Sequence, residues 1–146
     1  MERNNFDNPI FLFTFILIAI TLNTISSIHF LLIMLAGVLF VGFYLCLKKR
    51  YLYSLSFIVL AFLFIEINSG LKPLSLSLLS LFLYVFIIPY INKTITYSSI
   101  TNYVYIILFY IGVIIIWSMG AELDERFFSA VIINILIDLI FFGVFI

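Results

Sequence analysis

Six long apolar runs divide the chain, each broken from the next by a short cluster of polar or turn-forming residues. The first covers about Pro9 to Ile25 and closes at NTISS. The second, about His29 to Leu47, closes at KKR, and the third, about Tyr51 to Ile67, closes at NSG. The fourth, about Leu74 to Ile91, opens behind Pro73 and carries Pro89 near its end. The fifth, about Ile100 to Met119, follows NKTITYSS, and the sixth, about Phe127 to Ile146, follows GAELDER. Each run comes close to the ~20 apolar residues that a helix needs to cross hydrocarbon. None has the period-two alternation of a lipid-facing barrel strand. The pattern predicts an all-α integral membrane protein, a bundle of about six transmembrane helices with short loops. Residues 1–146 then form a single polytopic membrane domain, because no loop is long enough for another.

Composition strengthens this reading. Of 146 residues, 66% are hydrophobic and 10% charged, against about half and a quarter in soluble domains. A chain this short keeps much of its surface in contact with solvent, so the solvent must be the bilayer. The net charge is zero, and no basic stripe offers phosphate contacts, so nucleic acid is not an expected partner. Cys46 is the only cysteine. That excludes an internal disulfide and a multi-cysteine metal site, and leaves Cys46 as a small packing or lipid-facing residue. The start MERNNFDN-PIFLFTFILIAITL has no A-x-A site behind it, so it reads as a retained first span.

Lys and Arg set the expected orientation. Arg3, Lys48, Lys49, Arg50 and Lys93 fall on one side, against Lys72 and Arg126 on the other. Both termini are then cytoplasmic and ELDE faces outward. Trp117, Tyr51, Tyr53, Tyr90 and Tyr97 stand near span ends, where aromatic rings anchor at the interface.

Few side chains carry chemistry. Asp138 lies in the middle of the sixth run with Asn134 four residues before it, on the same helix face. An ionisable group at this depth costs ~2.5–3.5 kcal/mol and needs a reason. It is either a polar contact joining helices or a partner, or a proton or ion site. Glu66 stands one turn before the end of the third run. Ser69 and Gly70 supply the turn after it, Pro73 suits the first turn of the next helix, and Lys72 is close enough to pair with Glu66. The hairpin is either fixed by that ion pair or offers a polar patch to a partner at the outer face. Ser75, Ser77 and Ser80 allow close helix approach. His29, alone at the head of the second run, reads as an interfacial residue. No metalloprotease, serine-hydrolase, phosphate-loop or dinucleotide motif appears, so no catalytic, metal or cofactor site is expected.

The layout resembles the rod shape-determining protein family MreD. The resemblance is carried by KKRYLYSLSFIVLAFLFIEINSGLKPLSLSLLSLFLYVFIIPYI, with Glu66, Ser69-Gly70 and Leu83-Tyr84 at the family's marked positions. The last span, RFFSAVIINILIDLIFFGVFI, resembles the family's closing helix, with Asn134 at its Asn. The family usually has Asp where this chain has Glu66, and a Gly past the turn where this chain has Lys72-Pro73. The resemblance implies a non-enzymatic scaffold of the bacterial cytoplasmic membrane. Its partners would be MreC and, through it, the MreB filament, RodA and its penicillin-binding transpeptidase. It also implies a fold similar to the S components of energy-coupling factor transporters. Glu66, Ser69, Gly70, Lys72, Asn134 and Asp138 are then the candidate partner-binding residues. Two other readings stand beside it. One is a small solute-binding transporter subunit, although the A-x-x-x-A docking pattern of S components is reduced here to Ala19. The other is a small intramembrane enzyme acting through Asp138.

Overall fold

A computed structural model of the chain describes residues 8–28, 35–95, 98–120 and 122–145, and every regular element among them is helical. The helices are α1 (Pro9–Ile28), α2 (Ala36–Lys49), α3 (Leu52–Ser69), α4 (Ser75–Thr94), α5 (Ser98–Ser118) and α6 (Glu125–Phe145). Five of them, all but α2, are long and apolar enough to cross a membrane. Each of the five turns large apolar side chains outward, such as Leu17, Phe64, Phe86, Ile111 and Ile140. Such an exterior needs a lipid solvent and is consistent with a multi-pass helical membrane protein.

Uniformly apolar helices still contain hydroxyl groups, and several of these are satisfied within their own helix. Thr14 donates to Ile10 O (2.9 Å), Ser56 to Leu52 O (3.0 Å), Ser80 to Leu76 O (2.8 Å) and Ser129 to Glu125 O (2.9 Å). A hydroxyl bonded to the preceding turn has no need of water. In α4 the turn Leu83–Ile87 widens to π geometry. Pro89 follows it and has no N–H to give the carbonyl of Val85, the local defect that such a turn absorbs.

α2 is the centre of the bundle. Ala36 to Tyr44 and Cys46 are all buried, as expected for a helix that is apolar on every side. Aromatic and polar contacts fix the directions of the helices around it. Phe40 stacks on Phe109 (5.0 Å) and Tyr44 meets Tyr105 (5.1 Å), so α2 and α5 are antiparallel. Phe13 meets Phe57, and Asn68 reaches Asn23 and Thr24, so α1 and α3 run parallel. Trp117 stacks on Phe127 and Tyr103 meets Phe142, so α5 and α6 are antiparallel. Phe109 lies between Phe40 and Phe62 and ties α2, α3 and α5 into one layer.

The structure corrects one expectation, on Pro73, and describes the second run only in part. That run was read as one span from about His29 to Leu47; its described part is a helix that begins at Ala36, behind a left-handed Leu35 (φ 63°). Its 14 residues rise ~21 Å, short of the ~30 Å of hydrocarbon. His29, like Arg3 and Tyr97, lies outside the described residues. Pro73 does not enter the fourth helix. It sits in the turn Lys72-Pro73-Leu74-Ser75, closed by Ser75 N–H to Lys72 O (3.2 Å), and the helix starts behind it.

Candidate functional site

A helix that starts inside an apolar bundle leaves its first N–H groups without partners, and neither water nor lipid can supply them there. α2 meets that problem at Leu35. The break is set by the left-handed conformation of Leu35, which is fully buried. Asp138, from the middle of α6, fills the gap. Its Oδ1 accepts the N–H of Leu35 (3.0 Å), and its Oδ2 accepts those of Gly37 (2.8 Å) and Val38 (3.3 Å). The Tyr110 hydroxyl of α5 donates to the same Oδ2 at 2.7 Å. One side chain therefore closes a helix start about a hundred residues away and joins α2, α5 and α6. Gly37 makes the approach possible. A Cβ there would lie 2.7 Å from Asp138 Oδ2 and 2.8 Å from both Ile106 and Tyr110.

α4 repeats the arrangement. Leu74, its N-cap, is also left-handed, with φ 67°. Glu66 Oε2 accepts the Leu74 N–H and Oε1 the Leu76 N–H, both at 2.6 Å. In each case the two oxygens of one carboxyl take the N–H of a left-handed leucine and the N–H two residues on. In each case the negative or polar oxygen pair meets the positive end of a helix dipole. Two fully buried acids thus do structural work at two helix starts.

The six predicted site residues separate accordingly. Glu66, Asn134 and Asp138 are fully buried within this chain, so their side chains are not on its surface. The expected Glu66–Lys72 pair is corrected: backbone N–H groups take both oxygens of Glu66, and Lys72 is exposed. Ser69 donates to Ile65 O (2.6 Å). Gly70, with φ 73°, ends α3 by giving its N–H to Ile67 O, while Leu71 N–H reaches back to Glu66 O. This is the Schellman closure that Gly permits. Asn134 shares the Asp138 face of α6, but neither its Nδ2 nor its Oδ1 has a hydrogen-bond partner among the described residues.

Sequence reasoning found both acids and missed what they hold. Leu35 and Leu74 carry no signal, since leucine is the least informative residue in such a chain. Gly37 and Tyr110 carried a faint one: a Gly and a Tyr deep inside apolar runs, away from the interface that Tyr favours. Asn23, fully buried in α1, meets Asn68 of α3 across a second polar contact. Among the described residues no three His, Cys, Asp or Glu side chains gather to hold a metal. Compared with family models, with curated proteins and with solved structures, the chain matches none.

Proposed function

We propose that this chain is a non-enzymatic scaffold of a bacterial cytoplasmic membrane, of the MreD type. It would bind MreC and link the MreB filament to RodA and its penicillin-binding transpeptidase. In this reading α2 completes a sixth crossing, the fold is similar to an energy-coupling factor S component, and both termini are cytoplasmic. The observation that carries the reading is the use of the two intramembrane acids. The hydrogen bonds to the carboxyl groups of Asp138 and Glu66 among the described residues come from donors that fix a helix start or tie one helix to another. That is architecture, and it favours a rigid platform over a proton carrier or an acid catalyst. The partner surface is then the exposed part of the α3–α4 turn, around Gly70, Lys72 and Pro73, with Glu66 shaping it from inside.

An affinity pull-down of the tagged chain from its own cells, in mild detergent with mass spectrometry, tests this. Recovery of MreC, RodA or the transpeptidase supports the scaffold. Recovery of an ATPase pair with a coupling subunit replaces it with a solute-binding transporter subunit. Lys72→Gln leaves the fold intact and weakens MreC recovery if the turn is the contact; unchanged recovery rules the turn out.

A further inference from the structure

Two cavities lie end to end between α4 and α5. The first, about 270 Å³, opens at the α3–α4 turn and is lined by Gly70, Leu71, Lys72, Ser75, Ile116, Trp117, Met119 and Gly120. The second, about 440 Å³, runs down the same seam past Leu79, Leu83, Ile87, Leu108, Ile111 and Ile115. Ile116 lines both. The mouth carries a cation and an indole. Lys72 is exposed and makes no ion pair among the described residues. Trp117 is held in place by its stack on Phe127 at 4.4 Å. The seam below is lined almost wholly by aliphatic and aromatic side chains, and its far end falls in the π turn of α4. From Ser75 to Ile87 it descends ~18 Å, about the depth of one leaflet in a ~30 Å core.

A cationic, aromatic mouth at the end of a leaflet-deep apolar crevice is the shape of one amphipath. We infer that this seam binds a single membrane lipid with an anionic phosphodiester headgroup. The phosphate lies at Lys72 beside the Trp117 ring, and one acyl chain lies along Leu83, Ile111 and Ile115. A zwitterionic headgroup would bring its own cation to Lys72 and lose that attraction. A free phosphate would leave the crevice unfilled. The inference does not rest on the partner proposed above; the two share Lys72 and are read separately, one by lipid retention and one by MreC recovery.

The test uses the full-length chain in mild detergent and native mass spectrometry. The probes are phosphatidylglycerol, phosphatidylcholine with the same acyl chains, and glycerol 3-phosphate. Phosphatidylglycerol should be retained at least about fivefold better than phosphatidylcholine, the worth of one lysine near an anionic lipid. Glycerol 3-phosphate should not be retained. Lys72→Gln should remove the preference for phosphatidylglycerol. Ile115→Trp, which fills the crevice from an exposed position, should release both lipids. Equal retention of the two lipids, or an unchanged preference in Lys72→Gln, would mean an ordinary surrounding lipid and overturn the inference. Retention of glycerol 3-phosphate equal to that of phosphatidylglycerol would overturn it in favour of a soluble phosphate ligand. Lys72 is on the surface, so its variant keeps the test decisive even if Ile115→Trp disturbs the fold.

Discussion

Asp138 receives three backbone N–H groups and one hydroxyl, all donors. An asparagine there would turn an NH₂ group toward some of them. Asp138→Asn is therefore expected to cost roughly 2–4 kcal/mol, measured by reversible unfolding in mixed micelles. Tyr110→Phe removes one donor and should cost about 1 kcal/mol. Gly37→Ala places a methyl against the same oxygen and should cost about 1–3 kcal/mol. The alanine should add less in the Asp138→Asn background than in the parent, because both variants disturb one contact. Full additivity would show that Gly37 serves some other neighbour.

The two left-handed leucines give the helix scale its sharpest contrast. An αL leucine costs ~1–2 kcal/mol, and glycine removes that cost while adding ~0.5–1 kcal/mol of unfolded-chain entropy. Leu74 is half exposed, so Leu74→Gly should stabilise by about 0.5–1 kcal/mol. Leu35 is fully buried, so Leu35→Gly also opens a cavity and should destabilise by about 2 kcal/mol or more. Thermal unfolding of the pair checks the opposite signs. The same contrast explains what could be read in advance. The end of α3 was legible because a left-handed C-cap calls for glycine, and Gly70 stands there. The start of α2 was not, since no Gly, Pro or polar residue stands at Leu35 itself within a continuous apolar run. Among the described residues it is the distant Asp138 that holds that break. The start of α4 was misplaced for a related reason. Pro73 fits a first helical turn as well as it fits the turn before one, and the Glu66 oxygens decide between them.

For the whole molecule, the alternating helix directions place Lys48, Lys49, Arg50 and Lys93 at one end of the bundle and Lys72 and Arg126 at the other. Single cysteines introduced at Lys49 and Lys72, in a Cys46→Ala background, should label from opposite sides of the membrane with an impermeant maleimide. Labelling from one side would break the alternation. Cys46 itself is buried and should react only after unfolding. Five of the six runs were legible as membrane-length helices because hydrocarbon demands long uninterrupted runs and tolerates little else. The central position of α2 was not, since all six runs are about equally oily and period alone does not say which one loses its contact with lipid.

The bond between Gly37 and Asp138 spans 101 residues, and this separation has a meaning in time. Ribosomes add about 5–20 residues per second, so α2 is made roughly 5–20 s before the side chain that closes it. During that interval its first N–H groups have no partner from α6. They must stay hydrated, or be shielded by the insertion machinery, until α6 arrives. Maturation of this protein is thus tied to α6. A nascent chain stalled ahead of Asp138 should remain a substrate for membrane quality-control proteases, while one released beyond it should not.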